Sequence, residues 1–143
     1  DNIVWLTDID IVYLRDPTEY LLNLLDEYDI VFQGNNIQNP KSICGGFFIA
    51  KPNDLTKLLL NPLPNEWYIN GAHEQNELNR RIKSKAFKDL KVKILDYDLF
   101  PPGKYWYDKS QSIIDPYIVH YNWLNDNIQK IKTMKTYGHW YEK

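Results

Sequence analysis

The chain has 143 residues, 43% hydrophobic and 25% charged, which is enough for one domain around a single buried core. Its formal net charge of −2 gives no electrostatic drive toward nucleic acid, and it contains no membrane segment, since no apolar run reaches about 18 residues. Cys44 is alone, so no intrachain disulfide forms; a reducing compartment suits it, and both cytoplasm and Golgi lumen stay open.

Taken in chain order, "IVWL" (3–6) reads as a short strand buried on both faces. Asp8 and Asp10 follow at once, spaced so that extended backbone points both carboxylates to one side. Pro17 suits the first turn of a helix to about Tyr28, with Leu21, Leu22, Leu24 and Leu25 inside. "DIVFQ" (29–33) is a second strand, "GNNIQNPKS" a polar loop and "GGFFIAK" (45–51) a third strand. "NDLTKLLLN" starts a helix capped by Asn53, and a loop with Trp67 and Tyr68 leads to a helix over 73–87. "VKILD" (92–96) is a strand, Pro102–Gly103 has the order of a type II turn, and "YIVHYNW" (117–123) is the last strand. Residues 126–136 form a helix with Ile128, Ile131 and Met134 inward. Strands alternate with helices, which predicts an α/β fold with a mostly parallel sheet flanked by helices. The chain starts with Asp rather than Met in mid-strand, so upstream sequence is expected.

The acidic pair carries the chemistry, and three readings of it stand open. With thirteen Asp in the chain a D-x-D match is cheap, and Asp96 with Asp98 makes a second one. A solvated strand end or a helix cap explains it blandly. Ligands of open α/β sheets sit beyond the carboxyl ends of strands, where two hard oxygens suit Mg²⁺ or Mn²⁺ with waters and a phosphate. "DIDIV" also resembles the first motif of haloacid-dehalogenase-type phosphohydrolases, but the later GDxxxD cluster is missing, since no glycine here precedes an Asp. In the 73–87 helix, Glu74, Leu78 and Ile82 share a face at i, i+4, i+8, with Gln75 and Asn79 beside it. Polar groups on an inward face need partners, and substrate hydroxyls would serve; the bland alternative is that Glu74 complements the helix dipole.

The ordered segments "WLTDIDIVYLRDP", "GGFFIAKP", "EQNELN", "KILDYDLFPPGKYW", "VHYNW" and "YGHW" resemble the nucleotide-diphospho-sugar transferase family with the GT-A fold, in its plant-type xylosyltransferase-related branch. The resemblance implies a Rossmann-like sheet whose N-terminal nucleotide-binding units lie outside this chain. It implies transfer of a sugar from a nucleotide-sugar donor to a hydroxyl of a glycan, protein or small-molecule acceptor, with retention of anomeric configuration. A non-catalytic nucleotide-sugar- or glycan-binding domain is the alternative. Carried over residue by residue, Asp10 ligates a metal, with Asp8 helping through metal, water or ribose, and His120 is the third protein ligand. Lys130 contacts phosphates, Gly45 and Gly46 let backbone approach the donor, Asn79 stands beside it, and Glu74 with Gln75 flank the transferred sugar. An imidazole ligand favours Mn²⁺ over Mg²⁺. Three departures matter: Glu74 replaces a common Asp, Cys44–Gly45 replace an Asn and a small hydroxyl residue, and Asp126 replaces a common glycine.

Overall fold

The computed structural model describes residues 2–62 and 73–141; Trp67 and Tyr68 lie outside the described residues. The elements are β1 (Val4–Thr7), β2 (Ile11–Tyr13), α1 (Thr18–Glu27), β3 (Ile30–Asn36), β4 (Asn39–Ala50) and α2 (Asp54–Leu59). They continue with α3 (Glu74–Ile82), a 3₁₀ turn (Lys85–Phe87), β5 (Val92–Ile94), α4 (Gly103–Lys109), β6 (Ile118–His120) and α5 (Asn127–Thr136).

The mixed α/β class matches the sequence pattern, but the strand directions do not. The main sheet has the order β1-β4-β3-β5, and only β3–β5 is parallel; β1–β4 and β3–β4 run antiparallel. A separate β2–β6 ladder is antiparallel too. The cause lies in the segment expected to be a loop. Asn36 pairs with Asn39 across Ile37–Gln38, and the Asn36 side chain accepts from Gln38 N at 3.0 Å, so the chain reverses as a hairpin. β4 therefore starts at Asn39, six residues before Gly45, and must run against β3.

Strand alternation divides the core between the two sheet faces. Val31, Phe47 and Ile49 pack with Leu21, Leu25 and Phe100 on the α1 side. Ile30, Phe32, Phe48 and Ala50 pack with Leu59, Leu78 and Phe87 on the other. A smaller cluster of Trp106, Val119, Tyr121 and Met134 holds α4 and α5 to β6. β1 is an edge strand: Val4 and Leu6 are exposed, as is Ile3 before it, and only Trp5 reaches the core, edge-on to Phe47. The reading of a strand buried on both faces is thus corrected: its β-branched residues are exposed, and Trp5 is its contact with the core.

Helix ends follow local chemistry. Asn53 caps α2 through a reciprocal box with Thr56, as its sequence predicts. Pro17 stands at the N-cap position of α1, while Asp16 accepts from both Thr18 N and its hydroxyl. Leu22 of α1 is exposed, whereas Leu21 and Leu25 are buried. Pro102–Gly103 opens helix α4 instead of making a type II turn; Gly103 N donates to Asn122 Oδ1 at 2.7 Å, and a side chain there would overlap Asn122 O. Asp126 caps α5 by accepting from Gln129 N at 2.8 Å, and Gly138, at φ +71°, ends that helix in the left-handed conformation. Ile128 is 80% exposed, against the inward position expected for it, while Met134 is buried. Among the described residues no helix is long and apolar enough to cross a membrane.

Candidate functional site

Three backbone registers assemble the acidic pair with His120. Asp8 leaves the end of β1, and its N–H donates to Gly46 O at 2.7 Å, fixing the turn against β4. Ile11 pairs with His120 in the β2–β6 ladder, and Tyr121 N donates to Asp10 O at 2.9 Å. The result puts His120 Nε2 3.2 Å from Asp10 Oδ1 and 3.6 Å from Asp8 Oδ2. One ligand atom from each of the three side chains lies within 4.8 Å of the others. Had the acidic turn and residue 120 fallen on opposite sides of the molecule, no ion would reach both; the fold brings them together.

Charge and burial differ sharply inside this cluster. His120 is fully buried, Asp10 nearly so, and Asp8 is 52% exposed. Lys130 of α5 reaches across to Asp10 Oδ2 at 2.7 Å, so Asp10 offers one oxygen to Lys130 and the other to His120. Burial would raise the Asp10 carboxyl, yet the neighbouring His120 and Lys130 hold it far below the usual carboxylate range. Burial likewise works against a charged His120, but the Asp10 and Asp8 carboxylates push it up to about 11. Two carboxylates converging on one point attract a positive charge there, whether an imidazolium or a metal ion supplies it.

The donor set fits a divalent cation. Two carboxylate oxygens and an imidazole nitrogen match Mn²⁺ better than Mg²⁺. Neighbouring ligands on an ion at about 2.1 Å stand about 3 Å apart, close to the separations His120 makes with the two carboxylates. His120 Nε2 is also buried without a hydrogen-bond partner, although it faces both acids. An orphaned ring nitrogen in such a place needs a charge to bind or a proton to share.

Gly46 is where close approach matters: a Cβ there would overlap the Asp8 carboxylate and stand 3.0 Å from His120 Cε1. Gly45 is one residue away, and its N–H donates to Gln75 Oε1 at 3.1 Å.

Helix α3 places the remaining predicted residues differently. Asn79 Oδ1 accepts from Ile43 N at 2.9 Å, and its amide donates to Ile43 O and Gln75 O. Both polar side chains thus meet β4 backbone where a register irregularity leaves ladder groups to be satisfied. Glu74 is exposed and lines a cavity of about 20 Å³ with Leu59, Leu60 and Pro62; no described contact joins it to the acidic cluster. The inward acid of α3 is Glu77, bridged by Arg80 and Arg81, whose hydrogen bonds hold its carboxyl down at about 2. Arg81 also donates to Leu59 O and Asn61 O, tying α3 to the end of α2.

Three neighbours of His120 escaped the sequence reading of the site. Gln33, completely buried, bonds to Nδ1 at 2.7 Å; Cys44 Sγ lies 3.7 Å from the same nitrogen; Asn122 Nδ2 points to Cys44 Sγ at 3.9 Å. The one signal for Gln33 is a polar residue ending an apolar strand.

The nucleotide-diphospho-sugar transferase family model matches residues 2–134. This chain belongs to that family. One relative, the UDP-galactose:fucoside alpha-3-galactosyltransferase of Dictyostelium discoideum, is 26% identical over an alignment of 166 positions. The alignment takes in 98% of this chain and 25% of the relative, so the chain spans about a quarter of that protein's length. Membership leaves the phosphohydrolase reading without support.

Proposed function

We propose that this family member transfers a sugar from a nucleotide-diphosphate donor to a hydroxyl acceptor, using a divalent cation held by Asp8, Asp10 and His120. The observation that carries the reading is the orphaned Nε2 of His120, buried and aimed at two carboxylates. A bound Mn²⁺ or Mg²⁺ would offset the negative charge that accumulates on a departing nucleoside diphosphate.

The side chains divide the work. Asp10 and His120, both largely buried, would hold the cation, and exposed Asp8 would be its third ligand and the one able to touch ribose or water as well. Lys130 now neutralises Asp10, and a phosphate arriving beside it would draw the ammonium across, adding a second positive charge to the leaving group. Gly46 leaves room for the Asp8 carboxylate, and Gln75 secures the adjacent Gly45 N–H. Glu74 is exposed and makes no contact with the acidic cluster among the described residues, so no part in holding the cation is given to it. Retention of configuration is part of the proposal, by a path in which the leaving phosphate takes the acceptor proton and no enzyme nucleophile is needed.

UDP-galactose is the first donor to try, because the relative is named for it. The test is Mn²⁺ binding followed by electron paramagnetic resonance, together with thermal shifts by UDP-galactose with and without Mn²⁺. The expected result is saturable Mn²⁺ binding lost in Asp10→Ala, and a donor-dependent rise in melting temperature that requires the metal. Mn²⁺ binding that survives Asp10→Ala refutes the site. Metal-linked donor binding without turnover assigns the chain to the binding-domain alternative.

A further inference from the structure

We propose that Gln33 is the positioning residue of this centre: it holds Nδ1–H of His120 so that Nε2 is the nitrogen turned between Asp8 and Asp10, where a cation would bind. The inference rests on the cation reading above and adds a residue outside the predicted ligand set. Gln33 is wholly buried, and strand alternation sends it to the same sheet face as Val31 and Phe100. Its Nε2 donates to Phe100 O at 3.1 Å, and a carbonyl can only accept, so the amide has one allowed orientation. Oε1 is therefore the atom that meets His120 Nδ1 at 2.7 Å. An amide oxygen also only accepts, so Nδ1 keeps its proton in either charge state of the ring, and Nε2 is the nitrogen left to exchange its proton for a cation. Phe100 O, Gln33 and His120 thus form one chain of hydrogen bonds with its open end at the acidic pair. Cys44 Sγ also lies within hydrogen-bond reach of Nδ1 at 3.7 Å, a weaker partner than the amide oxygen at 2.7 Å.

Metal-ligating histidines depend on such a partner for ring orientation and basicity, and its loss weakens metal binding by about 10–100-fold. The experiment compares Mn²⁺ affinity of the full chain, wild type against Gln33→Met and Gln33→Glu, with far-UV circular dichroism to verify folding. Gln33→Met keeps the volume and removes the acceptor; its Mn²⁺ affinity falls by about 10–100-fold. Gln33→Glu keeps an acceptor for Nδ1–H, and its affinity stays at or above wild type, which a purely structural glutamine would not predict. A folded Gln33→Met with wild-type affinity overturns the proposal, as does equal loss in both variants. Should the Met variant fail to fold, long-range ¹H–¹⁵N spectra of wild type loaded with Cd²⁺ decide. A slowly exchanging proton on Nδ1 with metal coupling on Nε2 supports the assignment, and metal on Nδ1 defeats it. A wild type that binds no Mn²⁺ removes the cation reading itself, and the role of Gln33 with it.

Discussion

Two regions of this molecule place polar side chains against β4, and they do so to opposite ends. On helix α3, Asn79, Gln75 and Glu77 each end on a fixed partner: strand backbone for the amides, two arginines for the acid. At the β1–β2 corner, Asp8, Asp10 and His120 face each other, and one nitrogen is left without a bond. A satisfied polar cluster stabilises a fold; an incompletely satisfied one, held rigid by its surroundings, is prepared for a ligand. Trp5, Arg15, Tyr97 and Trp106 also carry a buried polar atom without a partner, so what sets the corner apart is the convergence of two carboxylates and an imidazole.

The largest expected effect breaks the corner. Asp10→Ala removes the oxygen shared with His120 and should lower Mn²⁺ affinity by about 100-fold or more, read by electron paramagnetic resonance. Next comes Gly46→Ala, whose methyl overlaps the Asp8 carboxylate; it should cost about 2 kcal/mol in urea unfolding and weaken Mn²⁺ in the same protein. On the scaffold side, Glu77→Ala should destabilise by about 1–2 kcal/mol, since Arg80 is mostly exposed and screened, while Mn²⁺ affinity stays at wild type. Coupled loss of metal binding in that variant would erase the contrast drawn above.

The same acid gives a pH test with a definite sign. Its carboxyl is held near 2 against 4.5 when unfolded, so its contribution is complete above pH 4.5 and disappears as pH falls toward 2. Acid unfolding curves of wild type and Glu77→Gln should therefore converge over that window. The smallest effect belongs to Glu74→Gln: exposed and uncoupled, it should move stability by less than about 0.5 kcal/mol. Any larger change, or a change in transfer rate alone, would assign Glu74 to the acceptor side of the reaction.

Local chemistry was the part written plainly along the chain. The Asn53 cap, the inward Met134 and the position of the acid pair at a strand end need only neighbours in sequence, and each stands as the pattern predicts. Ile128 and Leu22 misled because an apolar residue on a surface helix face has the same letter as one inside. Glu74 misled because a stripe does not say where along the helix the core stops: Leu78 is buried and Ile82 packs against the same cluster, yet Glu74, at the helix start, is exposed. Glu77, beside Leu78, is the buried acid, and Arg80 and Arg81 pair with it.

The sequence by itself determined the mixed α/β class and most of the elements, because these follow from side-chain chemistry and spacing, though not β2, α4 or the first half of β4. Only the tertiary structure decided that β4 runs backward, that residue 120 meets Asp10 across a ladder 110 residues apart in chain position, and that Gln33 lies behind the imidazole. Strand direction and register are set by long-range hydrogen bonding, whose pairing energies no local stretch contains.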